Sequence, residues 1–286
     1  MWRAVLLAAS LLGALPADAD ANAPPAWDRA LQDSQAAIGR SLREGGIDAM
    51  PLLDSRERRF SLADLRGRPF IVSFVYTGCF QACPVATQSL AAVVRQARQA
   101  LGDDRFEVVS IGFNQPFDTP EAMAAFARQA RVDDPRWRFA SPRAEDVPAL
   151  ARAFGFSWSA TPKGFDHVTQ ASIVDAQGTI RHQVYGDTIE APFFVGPLKA
   201  VIAGEAAERL TLDNLWLKVK LYCTVYDPAS GRYRLDYSLF FEIFAGASVL
   251  GALAWVILRE LRRSKSRGAR GAGGNGGVPR RAGGRP

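Results

Sequence analysis

Two cysteines three residues apart carry the most chemistry in this chain: Cys79 and Cys83 of Tyr76-Thr-Gly-Cys79-Phe-Gln-Ala-Cys83-Pro84. The run before them, Pro69 to Tyr76, is apolar, β-branched and aromatic, as a strand buried on both faces requires. The stretch after them, Pro84 to Leu101, is Ala/Gln/Leu-rich with helical periodicity. The pair therefore sits where a buried strand gives way to a helix. The positive end of the helix dipole and its unpaired N–H groups favour thiolate there. Spacing within one helical turn puts both sulfurs on one side. Such a pair can close a disulfide or offer two soft thiolates to a soft metal ion. Three intervening residues differ from the two usual in thiol oxidoreductases. Thr77-Gly78-Cys79 also lacks the Thr-x-x-Cys spacing of a peroxidatic cysteine.

A metal on two sulfurs needs a further ligand, and imidazole is the usual one. The chain has only two histidines, His167 and His182. His182 falls inside a predicted strand between Arg181 and Gln183 and reads as an ordinary strand residue. His167 follows Asp166 in a predicted loop just before a strand at Thr169; it is either a ligand or a surface residue. Cys223 is the third cysteine. It reads as a small apolar residue on the inner face of a hairpin, or more sharply as a redox or metal partner for a client near a membrane.

These residues need a frame, and hydropathy supplies one. After the first strand and helix, Phe106 to Phe113 reads as a second buried strand and Thr119 to Arg131 as a helix opened by Thr-Pro-Glu. Trp137 to Ala140 is a short strand and Asp146 to Phe154 a helix. Thr169 to Val174 and Thr179 to Tyr185 form a hairpin around Asp175-Ala-Gln-Gly178. A helix over about Pro192 to Ala203 closes the region. Strands alternating with helices and ending in a hairpin predict an α/β domain on a central mixed sheet. Residues 24–46 form a weakly helical lead-in whose Trp27, Leu31, Ile38 and Leu42 fit one amphipathic face. Residues 205–237 hold a second hairpin turning at Asp227-Pro-Ala-Ser-Gly231.

Two end segments look unlike the domain. Residues 1–23 read as a secretory signal: Arg3, an apolar stretch from Ala4 to Leu15, then small-x-small cleavage options. Residues 238–258 are apolar apart from Glu242 and two serines, long enough for a transmembrane helix. The tail 259–286 carries nine Lys/Arg against one acid, so the net charge of +6 reduces to about −2 for the rest. The basic pI is thus a property of the tail and points to no nucleic-acid-binding face. Positive residues flank the cytoplasmic side of a span. The expected topology is a single-pass inner-membrane protein whose domain lies on the periplasmic side. Three cysteines and a charged share of 22% exclude a disulfide scaffold and a wholly disordered chain.

The arrangement Phe74-x-Tyr76-x-x-Cys79-x-x-x-Cys83-Pro84, then Val109-Ser-Ile111, Asp118-Thr-Pro-Glu121, Asp166-His167, and Ile173-Val-Asp175 with Gly178 resembles the Sco/SenC family. The resemblance implies a thioredoxin-like domain over residues 47–204 and a metallochaperone rather than an enzyme. It implies that Cys79, Cys83 and His167 hold one copper ion. It also implies a role in delivering copper to, or maintaining the thiols of, the binuclear copper site of cytochrome c oxidase subunit II. Two thiolates favour Cu(I), and an added imidazole admits Cu(II). The competing reading is a thiol-disulfide oxidoreductase that uses Cys79 and Cys83 without metal. Two departures stand out. Gly112-Phe-Asn-Gln-Pro-Phe117 replaces the acidic Asp-Pro element common in the family, and the anchor is expected at the C-terminus instead of the N-terminus.

Overall fold

A computed structural model of the chain describes residues 26–79, 82–162, 164–208, 224–227, 232–235 and 238–271. The expected signal segment, Cys223, the turn at 228–231 and the end of the tail lie outside the described residues. The chain falls into two units, the larger holding the α/β domain and the smaller the C-terminal helix.

The element order in the domain is α1 (Ala26–Gln35), β1 (Leu52–Asp54), β2 (Arg59–Phe60), β3 (Phe70–Val75), α2 (Ala82–Leu101), β4 (Glu107–Gly112), α3 (Pro120–Gln129), β5 (Trp137–Pro142), α4 (Val147–Ala153), β6 (Trp158–Thr161), β7 (Gly164–His167), β8 (Gln170–Val174), β9 (Ile180–Tyr185) and α5 (Ala191–Glu208). Seven strands form one sheet in the order β2-β1-β5-β4-β3-β8-β9. β3, β4 and β5 are parallel, joined by the crossover helices α2 and α3, while β8 and β9 run antiparallel beside them. The mixed sheet expected from hydropathy is therefore present.

Every residue of β3 and of β4 is buried. Each fully buried Val, Ile or Phe contributes about 1.5–3 kcal/mol, so these central strands anchor the core. Their register pairs Phe70 with Glu107 and ends with Val75 beside Gly112. The chain segments leaving the two strand ends, Tyr76-Thr77 and Phe113-Asn114, are consequently neighbours. α3 begins as its sequence predicts: the Thr119 hydroxyl accepts from the Ala122 N–H and Pro120 occupies the first turn.

The lead-in differs from the amphipathic face read in the sequence. Of that face Leu42 is buried and Leu31 half-buried, as expected, whereas Trp27 and Ile38 are exposed and Ser34 and Ala37 are buried instead. Backbone pairing overrides the side-chain pattern here. Ser41 bridges Thr179, and Gly39 and Leu42 donate to the carbonyls of Ile180 and Gly178. Two further elements escape the hydropathy pattern: the short β1–β2 pair at the sheet edge, and the β6–β7 hairpin, which forms a separate two-stranded sheet.

The C-terminal unit contains a helix, α6 (Ser238–Gly271), preceded by strand segments β10 (Thr224–Asp227) and β11 (Arg232–Leu235), which pair with each other. α6 covers the stretch expected to span a membrane. Phe241, Phe244, Val249 and Leu253 on it are exposed. Among the described residues, no helix is long and apolar enough to cross a membrane.

Gly155 ties α1 to the domain. Its φ is +62°, and a Cβ there would meet the Asp33 carbonyl oxygen at 2.2 Å. Both the backbone conformation and the contact exclude a side chain. Gly155→Ala is expected to lower unfolding free energy by more than about 1 kcal/mol, read from the urea midpoint. An unchanged midpoint would mean that α1 does not pack where it is placed here.

Candidate functional site

The C-terminal ends of β3 and β4 carry the site. β3 ends at Val75, the chain turns through Tyr76-Thr77-Gly78, and α2 starts at Ala82. Cys79 therefore precedes the helix and Cys83 lies in its first turn. The Cys83 N–H donates to Cys79 Sγ at 3.2 Å, so the Cys79 sulfur caps the helix N-terminus. The sequence expectation covered both cysteines of the pair; the structure aims the open end of the helix at Cys79. Both cysteines are thiols.

Burial separates the two. Cys83 is 5% exposed, whereas Cys79 is half-buried. Burial pushes the Cys83 thiol well up, and its hydrogen bond to Cys79 and the Cys79 charge push the same way. At Cys83 the dipole effect expected for the pair is thus opposed by desolvation, which outweighs it. Tyr76 bears on the same sulfur. Its hydroxyl is raised first by burial and then by a hydrogen bond with Cys79, while the Phe165 backbone acts in the opposite direction.

Asp118 closes the turn from the other side. Its Oδ1 accepts from the Thr77 N–H at 2.8 Å and from the Thr77 hydroxyl at 2.7 Å, and its Oδ2 accepts from the Asn114 N–H at 2.8 Å. Burial raises its carboxyl, and these three donors counter that shift. The residue belongs to the Asp-Thr-Pro-Glu element noted in the sequence, yet nothing in one dimension assigns it to the cysteine turn, 41 residues away. The signal available was the parallel pairing of β3 and β4, which brings the two segments together.

His167 is not in a loop, as expected, but ends β7 and pairs with Trp158 of β6. Its ring packs against Phe113, Phe156 and Tyr76, with centroids 5.7, 5.5 and 6.3 Å away. This enclosure lowers the imidazole's proton affinity through burial, against the pull of the Val168 carbonyl and the charges of Asp187 and Asp166. Its Nδ1 lies 3.3 Å from the Val168 carbonyl. A carbonyl can only accept, so the proton belongs on Nδ1 and the Nε2 lone pair is left for another partner. His182 sits within β9 opposite Ile173, away from this cluster in the sheet, as expected of a strand residue.

His167 and Cys83 line one cavity of about 230 Å³, together with Thr87, Gln170 and Asp187. The β6–β7 hairpin and the cysteine turn also meet at Gly164, where a Cβ would stand 2.5 Å from the Tyr76 hydroxyl. The Cys79 sulfur is thus held against the Cys83 backbone, and His167 borders the cavity that Cys83 lines. Among the described residues, however, no three His, Cys, Asp or Glu side chains are grouped closely enough to hold a metal ion.

Comparison with known proteins gives concordant relatives. The SCO1/SenC family model matches residues 48–201. A protein SCO2 homolog, mitochondrial, of Bos taurus is 32% identical over 141 residues, covering 49% of this chain and 48% of the relative. The chain thus spans about half the length of the curated relative that it matches. A solved structure of a candidate electron transfer protein from Aquifex aeolicus VF5 is 28% identical with a TM-score of 0.52, covering 58% of this chain and 95% of that one. Copper-bound ScoI of Arabidopsis thaliana is 17% identical with a TM-score of 0.46, covering 56% and 97% of the two chains. The α/β fold is the thioredoxin-like one that the resemblance implied.

The enclosure of His167 has a consequence for stability. Burial depresses the affinity of both His167 and His182 for a proton below the ordinary midpoint of 6.5. The unfolded chain takes up protons that the folded chain refuses, so stability present above about 6.5 is lost as pH falls below it. Urea midpoints measured from that value down to about pH 5 are expected to fall faster for the parent protein than for His167→Gln. Parallel curves would mean that His167 is not enclosed as described.

Proposed function

The chain belongs to the SCO1/SenC family, and we propose that it is a copper chaperone whose Cys79, Cys83 and His167 hold one copper ion as cargo. The observation that carries this reading is the shared cavity: Cys83 and His167 both face it, and Cys79 Sγ lies within hydrogen-bond reach of the Cys83 backbone. The donor set fits the ion. Two sulfurs suit Cu(I), and a neutral imidazole with an available Nε2 extends the set to Cu(II). Loading displaces the Cys83 proton that burial retains, so uptake releases protons and is favoured by rising pH. The three donors do not form a closed cluster among the described residues, so capture includes an approach of the β6–β7 hairpin to the cysteine turn.

The recipient is the binuclear copper site of cytochrome c oxidase subunit II, on the strength of the family. α6 would tether the domain to the inner membrane, with the domain on the periplasmic side. The exposed apolar side chains of Phe241, Phe244, Val249 and Leu253, followed by Arg259 and further basic residues, support that placement.

A second reading has an observation of its own in its favour: the two sulfurs are already together whereas His167 is not yet grouped with them. In thiol-disulfide exchange, Cys79 is the better placed attacking thiol because it is the more exposed. Its thiolate would attack a client disulfide and form a mixed disulfide; Cys83 would then displace the client, leaving Cys79–Cys83 oxidised and the client with two thiols.

Visible absorption of the reduced full chain, carrying Cys223→Ser and loaded with Cu(II), separates the two. The parent is expected to show an intense thiolate-to-copper band at one copper per chain. His167→Ala is expected to lose it, with copper affinity reduced at least about tenfold. A band of equal intensity and affinity in His167→Ala overturns the three-donor site. Prompt Cys79–Cys83 oxidation with no band in either protein favours the exchange reading.

A further inference from the structure

Neither the copper reading nor the exchange reading uses Asp118, yet this carboxylate is 0% exposed. Burying an ionisable side chain so deeply is costly unless its oxygens are satisfied. Here they are satisfied by three donors, two of them from Thr77, two residues before Cys79. Among the described residues, no Lys, Arg or His forms an ion pair with it. The backbone of the same residue is held as well: its carbonyl accepts from the Ser141 hydroxyl at 2.7 Å and from Gln115 Nε2 at 3.0 Å. Space has been cleared for it, because a Cβ on Gly112 would stand 2.6 Å from the Asp118 Cβ and 3.0 Å from Met123 Sδ. Asp118 is thus clamped to β5 and to the loop after β4, and its side chain reaches across to the turn that presents Cys79.

The geometry assigns Asp118 as the positioning residue of the cysteine pair: by holding Thr77 through both its N–H and its hydroxyl, it fixes the turn that sets Cys79 against Cys83 and thereby sets the balance between their dithiol and disulfide forms. The inference rests on the reading that Cys79 and Cys83 are the reactive pair, and holds whether that pair carries copper or exchanges disulfides. Three features single out the carboxylate. It bonds to the turn and not to the sulfurs, so it positions them through Thr77; its charge also bears directly on the Cys83 thiol, and Thr77→Val, which leaves that charge in place, separates the two effects. It offers two oxygens in a fixed plane, one to each neighbouring loop. Asparagine, its near-isostere, can keep an oxygen toward Thr77 only by turning an NH2 toward the Asn114 N–H, so one of the two links must fail. The brace is seen with both cysteines as thiols, and we take it to be tighter in that form than in the disulfide, so that loosening it weakens the dithiol more.

The test is equilibration of the full chain, with Cys223→Ser throughout, in glutathione redox buffers. Two protein thiols give two electrons and two protons to glutathione disulfide, yielding the Cys79–Cys83 disulfide and two glutathione thiols. Asp118→Asn is expected to shift this equilibrium at least tenfold toward the disulfide, which is about 30 mV more negative in midpoint. Thr77→Val, which removes one of the two Thr77 donors, should shift it in the same direction by less. Thr77→Ser, which restores the hydroxyl, should return the parent value. Ser141→Ala loses only the bond to the Asp118 carbonyl and leaves both Thr77 bonds; it should lower the urea midpoint and shift the redox equilibrium less than Thr77→Val does. An unshifted equilibrium in Thr77→Val and Asp118→Asn, or a shift toward the dithiol, overturns the assignment. If Asp118→Asn does not fold, the Thr77 pair decides alone. Failure of the parent itself to form a reversible Cys79–Cys83 disulfide overturns the reading of a reactive pair, and the assignment with it. Loss of the copper band's dependence on His167 would overturn only the metal reading.

Discussion

A buried carboxylate held by two neighbouring loops is the constraint on which the site depends. Parallel strands β3 and β4 end side by side, with Val75 opposite Gly112. In the α/β folds this is where function collects, because loops leaving adjacent strand ends converge while the strands themselves stay rigid. What holds the convergence here is Asp118, shared between Thr77 and Asn114. Without such a link the Thr77-Gly78 turn loses both of its bonds to the loop after β4, while local bonds such as that of the Cys79 N–H to the Tyr76 carbonyl stay. Reactive side chains need their supports fixed more tightly than a surface turn provides.

The frame was legible in the sequence for a physical reason, and so was its blind spot. Strands buried on both faces, such as Phe70–Val75 and Glu107–Gly112, show up as continuous apolar runs. The helices between them carry helical periodicity and recognisable starts, as at Thr119-Pro120. Cys79 and Cys83 were likewise visible, because their spacing is local. The hairpin that bears His167 was not. Its strands, Trp158–Thr161 and Gly164–His167, are short, mixed in polarity and outside the main sheet, so neither period nor burial marks them. The face of the lead-in was misread because backbone pairing with Thr179, and not side-chain burial, sets its path. Asp118 stands in the Asp-Thr-Pro-Glu element, but its role is not legible in one dimension, since its partner Thr77 lies 41 residues away.

Electrostatics near the sulfurs also reversed a simple expectation. Helix N-termini favour thiolates by a modest dipole effect that fades within the first turn. Cys83 is deep enough for desolvation to outweigh that effect, while Cys79 sits where the helix opens and receives its N–H directly. One cysteine is thus half-buried and caps the helix, the other withdrawn and pushed toward its thiol form by burial. That asymmetry suits any chemistry in which one sulfur meets the partner first and the second completes the step.

The separation between the sulfurs and His167 can be understood in the same terms. The cysteine turn is anchored in the main sheet through Asp118, whereas His167 rides on a two-stranded hairpin that shares no ladder with that sheet. The hairpin is held instead by ring packing: Phe165 on Tyr76 and Phe113, and His167 on Phe113 and Phe156. Ring contacts of this kind are worth about 0.5–1.5 kcal/mol each and tolerate sliding better than a hydrogen-bonded ladder does. On the proposed copper reading, a donor set divided between a braced turn and a hairpin packed on it through aromatic rings would gain its third ligand by their approach and lose it by their parting. A cluster preformed on one rigid element would bind more tightly and release more slowly. If the protein hands a metal to another site as proposed, affinity that depends on the meeting of two elements would be the more useful property, because a partner that disturbs the hairpin alone would weaken the hold without dismantling the thiol pair.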